Sequence, residues 1–276
     1  MLCESFKYEF GHKTGMVVEH IRNGYEAFKS NLLPLIGSFI LSGVFASIIF
    51  LVVFMVFAPV LSPVAGTAAA GSAVSSILSV MLLSTVFAMA LAFPFVASLI
   101  SVYSGALKGR VRVSDYLGAV KENFRPLLGL GFLYSLVLIS FIPFFVSFGL
   151  SAVDRAMLGG ETAAALQDVQ ALFGASPGSP LPLILLAVGT VASLALFFSS
   201  WIVVLEGSGV ARAVRSSVSF FLSSNFLRFL PLLVVSFIAT GVASFLPFST
   251  LFLMVVVPIF GIAITDFYLK NRNAFK

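Results

Sequence analysis

The chain has 276 residues, 59% of them hydrophobic and 10% charged, with sixteen Lys or Arg against eleven Asp or Glu and a mean hydropathy of +1.11. Soluble domains carry about 25% charged residues. So low a charge content excludes a large water-soluble catalytic domain, because no stretch is polar enough to form its surface, and it puts most of the chain in hydrocarbon.

The N-terminal segment carries Glu4, Lys7, Glu9, Lys13 and Glu19, which interrupt any apolar signal core, so insertion is expected through the first membrane helix. The single cysteine, Cys3, permits no intramolecular disulfide and reads as an inert thiol. An amphipathic stripe of Val17, Ile21, Tyr25 and Phe28 follows, then an uncharged apolar stretch at 33–58. The loop at 62–72 is small and uncharged. The second stretch, 73–103, is too long for a straight crossing, since about 20 residues suffice. It is expected to tilt, kink at Pro94 or leave the membrane.

A basic loop with Lys108, Arg110 and Arg112 leads, after a cap at Ser114, to the stripe Leu117, Val120 and Phe124, with Lys121 and Arg125 beside it. The third stretch is 127–150. The long loop 151–180 contains Asp154, Arg155, Glu161 and Asp168. Within it, 162–173 reads as a short helix with Leu166, Val169 and Phe173 on one side, resting on the bundle or lying as a lid. The fourth stretch, 181–205, ends at Glu206. A stripe of Val210, Val214, Val218 and Phe221 follows, with Arg212 and Arg215 opposite. The last two stretches, 229–246 and 250–267, meet in a tight hairpin at Pro247. Prolines 94, 143 and 258 are expected to interrupt their spans.

Six crossings place fifteen of the sixteen bases on one side and only Arg155 on the other, so both termini are expected in the cytoplasm of a cell-membrane protein. Tyr25, Tyr103, Tyr116 and Tyr268 fall at the same boundary as interface anchors. Residues 25–37 align without a gap on 117–129, matching Ala27 with Ala119, Lys29 with Lys121, Asn31 with Asn123, Pro34 with Pro126, Leu35 with Leu127 and Gly37 with Gly129. A weaker third copy keeps Asn225, Phe226, Arg228 and Pro231. The expected fold is an all-α integral membrane protein. Its six transmembrane helices form three parallel two-span repeats, at 15–106, 111–207 and 208–269, with a tail at 270–276. A cytoplasmic interfacial amphipathic helix precedes each repeat, ending at the Asn, with Pro in the first turn of the next helix.

The chemistry-bearing residues are few. His12 and His20 both lie in the N-terminal segment, no span centre carries Asp or Glu, and no phosphate loop or Cys/His cluster occurs. These observations weigh against an intramembrane hydrolase, a metalloprotease and a paired-aspartate protease, and no catalytic residue, cofactor or metal is expected. Glu206 and Asp266 border the membrane. Arg212 and Arg215 are near the first, and Lys270 stands at i+4 from the second. Together with Arg110, Arg112, Lys121, Arg125 and Arg228, these residues are the candidate contacts for lipid headgroups or an inner mouth. Ser38, Ser42, Ser236 and Thr240 recur at helical spacing and either let helices pack closely or line a polar conduit.

The run from Trp201 to Arg228, with a valine-rich span end, an acidic-Gly turn, an Ala-x-x-x-Ser helix and a closing Asn-Phe-x-Arg, resembles a stretch of a six-span membrane-domain superfamily. That superfamily includes the membrane domain of glycerophosphodiester phosphodiesterases and small stand-alone prokaryotic relatives. The resemblance implies a six-span fold and carries no catalytic residue, so phosphodiesterase activity is not transferred. Mitochondrial carriers share the three-repeat plan, but their Pro-x-acid-x-x-base motif is missing here. The expected function is a non-enzymatic, lipid-interacting protein or a membrane-assembly subunit. Its partners are anionic headgroups and other membrane subunits, and not nucleic acid. The alternative is a transporter or channel for a small solute through a cavity between the repeats.

Overall fold

A computed structural model describes residues 2–67, 70–109, 111–141 and 180–275. Among them all regular structure is helical: α1 (Leu2–Ser30), α2 (Leu32–Thr67), α3 (Ala70–Ala97), α4 (Leu99–Leu107), α5 (Val113–Ile139), α6 (Leu181–Leu196), α7 (Ser199–Glu206), α8 (Val210–Phe221), α9 (Ser224–Phe245) and α10 (Ser249–Lys270), then a 3-10 turn over Arg272–Phe275. Five described segments are long and apolar enough to cross a membrane: Leu32–Pro59, Leu82–Leu107, Leu181–Glu206, Ser224–Phe245 and Ser249–Lys270. The expected third span begins within α5. Its end from 142 to 150, with Pro143, the loop helix at 162–173 and Arg110 lie outside the described residues.

Helix breaks follow local hydrogen bonding more closely than proline positions. The second stretch does break after Pro94, at Ser98, whose N–H and Oγ both donate to the Pro94 carbonyl at 3.1 and 2.7 Å. The fourth stretch breaks at Phe197–Phe198 without a proline, and the Phe198 N–H donates to Ser217 Oγ at 3.1 Å. A side chain inserted into the backbone ladder is a recognised cause of a kink. Pro258, expected to interrupt the sixth span, lies within an unbroken α10. It forfeits one backbone donor, the partner of the Met254 carbonyl, and the helix continues. Pro34 sits in the first turn of α2 as expected, whereas Pro126 and Pro231 lie inside α5 and α9. The second copy is therefore one continuous helix, and Asn123 does not end it. Asn225 opens α9 instead of closing α8.

The contact pattern divides the chain into two compact units. Residues 1–45, 94–127 and 197–276 form the first, and residues 46–93 and 128–196 the second. The first holds fifteen of the sixteen bases and eight of the eleven acids. In it α1 packs along α10. Gly24 permits the approach, since a Cβ there would lie 2.6 Å from the Ile259 carbonyl oxygen and 3.2 Å from the Ala263 nitrogen. Gly24→Ala must push two backbones apart and is expected to cost about 1–3 kcal/mol, read as a lowered unfolding midpoint in detergent. Phe28, Leu35, Leu99, Val102, Tyr103, Tyr116 and Ile262 fill a core beside this seam. In the second unit a Cβ at Gly131 would come 2.5 Å from the Ala90 carbonyl oxygen, and Tyr134 stacks on Phe93 with centroids 4.9 Å apart.

The packed stripes differ from the apolar stripes of the sequence. On α1, from residue 15 onward, the buried positions are Val17, His20, Gly24 and Phe28, with Tyr25 51% exposed. In the first three turns of α5 they are Tyr116, Ala119 and Asn123, one residue before Leu117, Val120 and Phe124. On α8 they are Ala213, Ser217 and Phe220, one residue before Val214, Val218 and Phe221. Small and polar side chains such as His20, Gly24, Ala119, Asn123, Ala213 and Ser217 share these packed faces with larger apolar ones, because lipid solvates apolar side chains as well as a protein interior does.

Candidate functional site

Five charged residues of the first unit, Glu19, Glu206, Asp266, Lys270 and Arg272, form two networks at the C-terminal end of α10. Asp266, 8% exposed, accepts hydrogen bonds from His20 Nδ1 at 2.7 Å and Asn23 Nδ2 at 3.0 Å, and its Oδ2 lies 3.2 Å from Lys270 Nζ. A carboxylate can only accept, so Nδ1 of His20 carries the proton. Phe267 meets the buried imidazole edge-on at 5.4 Å. Lys270 also reaches Glu19 at 2.7 Å, and its ammonium holds the Glu19 carboxyl below its usual range. That bond is present at neutral pH and is lost as the pH falls through the lowered value. It is exposed and contributes little to stability. Sequence spacing anticipates Lys270 but not His20 or Asn23, which lie about 245 residues away.

Glu206 does not pair with Arg212 or Arg215. Its Oε1 accepts from the Tyr268 hydroxyl at 2.7 Å and from Arg272 Nε at 2.9 Å. Gly207 ends α7 with φ +64, a left-handed conformation natural to glycine, and turns the chain away before α8 can bring its arginines round. The Arg272 turn then carries Phe275 inward, where it stacks on Phe220 with centroids 4.1 Å apart.

An aromatic centre adjoins these networks through Tyr268. Phe198, 1% exposed, has Phe229 at 4.7 Å, Phe275 at 4.9 Å, Phe220 at 5.1 Å and Tyr268 at 5.9 Å. Trp201 stacks on Phe197 at 5.3 Å and donates its indole N–H to Thr265 Oγ1 at 3.1 Å. Thirty-one phenylalanines in the sequence signalled such packing without showing which would meet.

The hydroxyl candidates are all engaged locally or enclosed. Ser38 is fully buried, and its Oγ has no hydrogen-bond partner among the described residues. Ser42 is buried and donates to the Phe95 carbonyl at 3.2 Å. Ser236 and Thr240 donate to carbonyls of their own helix, Leu233 at 3.1 Å and Ser236 at 2.8 Å. No hydrogen bond joins the α2 pair to the α9 pair.

The basic candidates behave alike. Arg112, Lys121, Arg125, Arg212, Arg215 and Arg228 are all exposed. Together with Arg22, Lys29 and Lys108, they make no ion pair among the described residues. Between α5, α4 and α7 lies an open polar cleft of about 360 Å³, lined in part by Asp115, Glu122 and Asn123.

Among the described residues these features define an all-helical protein with five helices long and apolar enough to cross a membrane, and most of the sequence's charge falls in one of two compact units. Comparison with protein-family models, curated proteins and solved structures returns no match.

Proposed function

We propose that the protein is a non-enzymatic multi-pass protein of the cell membrane that binds anionic lipid headgroups through basic helices on its cytoplasmic side, alone or within a larger membrane assembly. The observation that carries this reading is the set of nine exposed bases without ion-pair partners among the described residues. They sit beside exposed apolar side chains such as Leu33, 82% exposed, Leu222, 77%, and Leu227, 62%. Bases unpaired within the protein and next to lipid-facing apolar groups suit an interface where anionic headgroups supply the counter-charge.

In this reading the chain crosses six times in three repeats with both termini inside, as a relative of the six-span superfamily. Asn31 and Asn123 support the repeat, since each donates its side-chain amide to the carbonyl four residues back, at Ala27 and Ala119, two aligned positions. Solute passage along the hydroxyl faces is the weaker reading, because Ser38 and Ser42 are enclosed and Phe198 sits in a packed aromatic centre.

The test is lipid retention. In nanodiscs of mixed phosphatidylglycerol and phosphatidylcholine, the protein is expected to retain the anionic lipid, read by native mass spectrometry. Arg212→Ala with Arg215→Ala removes two bases worth about 1 kcal/mol each near an anionic surface, and should weaken retention by roughly thirtyfold. Equal retention of both lipids by the unaltered protein would overturn the reading.

A further inference from the structure

We propose that Ser38 and Ser42 of α2 and Tyr116 of α5 form a binding site for one buried water, which joins the two helices through three hydroxyls. The site uses none of the exposed bases and is independent of the headgroup-binding reading.

Two of the hydroxyls are buried without a partner. Ser38 and Tyr116 are fully buried, and neither Ser38 Oγ nor the Tyr116 phenol oxygen has a hydrogen-bond partner among the described residues. A helical serine can turn its hydroxyl back to the carbonyl four residues before it, as Ser135 does to Gly131 and Ser244 to Thr240, both at 2.8 Å. Ser38 does not make that bond. A buried hydroxyl left alone carries its full desolvation penalty, and in folded proteins such groups are met by protein or by ordered water.

The three hydroxyls belong to one helix contact. Leu35, Ser38 and Ser42 are successive buried positions on a single face of α2. Leu35 shares a core with Tyr116 at one end of that face, and a Cβ at Gly37 would come 3.6 Å from Val113 Cγ2, one turn before Tyr116. At the other end Ser42 stands beside the phenol. Burial pushes the Tyr116 hydroxyl up to about 12, and Ser42 works against that shift. Ser42 does not bond the phenol itself, because it donates to the Phe95 carbonyl at 3.2 Å. Ser38 lies between Leu35 and Ser42, which places its hydroxyl in the same interface as the phenol.

The count of donors and acceptors selects water. Ser38 and Tyr116 each have a proton to give, while Ser42, its proton committed to Phe95, keeps lone pairs. One water can accept from Ser38 and Tyr116 and donate to Ser42, which answers both open hydroxyls at once. Three hydrogen bonds are typical of a buried water. A cation would meet only neutral oxygens here, since the core around Tyr116 is apolar and supplies no carboxylate to offset its charge. Aromatic rings close the contact. Phe95 stacks on Phe45 of α2 at 5.0 Å and meets Phe124 of α5 edge-on at 6.2 Å.

The experiment joins a crystal structure of the full chain, at a resolution that shows ordered water, with the unfolding equilibrium in detergent of Ser38→Ala, Tyr116→Phe and the double variant. Each substitution removes a hydroxyl and little else. A water is expected within hydrogen-bond distance of Ser38 Oγ, Ser42 Oγ and the Tyr116 phenol. Each single variant should shift the equilibrium about fivefold toward the unfolded form, the equivalent of one neutral hydrogen bond. The double variant should lose less than the product of the two, because either substitution already breaks the shared bridge. A dry site, or a direct Ser38–Tyr116 hydrogen bond in place of the water, overturns the proposal. So does a single variant more stable than the unaltered protein, since removing a hydroxyl that had no partner relieves its desolvation cost. Lipid retention tests the headgroup-binding reading separately, and neither result decides the other.

Discussion

Asp266→Ala is expected to lower stability by about 2–3 kcal/mol and to loosen α1 from α10, because hydrogen bonds to charged groups contribute about 1.5–3 kcal/mol and a buried donor left alone costs its desolvation. Asp266 is the acceptor for His20, 3% exposed, and for Asn23, both on α1. Alanine leaves the imidazole N–H and the amide facing an apolar methyl. Lys270 contributes little to the loss, since it is exposed and keeps Glu19 at 2.7 Å. Asp266→Asn keeps one acceptor oxygen and should recover part of the loss. The measurement is the unfolding midpoint in detergent, with limited proteolysis reporting on α1. An unchanged midpoint and an equally protected α1 would show that His20 and Asn23 do not depend on Asp266.

Phe198→Ala should be the most damaging single change, at about 3–5 kcal/mol, the usual cost of truncating a buried phenylalanine. Its ring touches side chains from α7, α8, α9, α10 and the 3-10 turn at once, with Phe229 at 4.7 Å and Phe275 at 4.9 Å. The cavity cannot close easily, because Phe220 is already fixed by its stack on Phe275 and the Phe198 backbone is held by Ser217. Phe198→Leu restores most of the volume and should lose much less. Trp201, the only tryptophan, stacks on Phe197 beside this centre, so its emission reports the change directly. A blue-shifted spectrum that is unaltered in Phe198→Ala, with the same unfolding midpoint, would remove Phe198 from the centre of the packing.

Legibility varied with the range of the interaction. Asp266–Lys270 was visible as an i,i+4 pair, and Pro94 announced a break that falls four residues later at Ser98. Glu206 shows where spacing misleads. Its nearest bases in sequence, Arg212 and Arg215, lie past the left-handed turn at Gly207, and the carboxylate is met by Tyr268 and Arg272, 62 and 66 residues on. The break at Phe198 had no proline to mark it, because its cause is a serine hydroxyl nineteen residues away. The cleft was hidden for a different reason. Asp115, Gly118 and Glu122 are one helical face in any sequence reading, but whether that face is covered depends on where α4 and α7 pass.

By itself the sequence determined the solvent. Hydrocarbon tolerates few charges, so the placement of 27 charged residues marked which stretches lie in lipid and which do not. It also marked the apolar stripes of α1, α5 and α8, of which Val17 and Phe28 of α1 pack inward, Leu117 of α5 is exposed and the α8 residues are part-buried. Only the tertiary structure decided which side of each helix packs. In a bilayer the hydrophobic effect does not distinguish lipid from protein, so the contact faces are set by close approach and hydrogen bonding at Gly24, Ser217 and Asp266, whose partners on other helices no periodicity reveals.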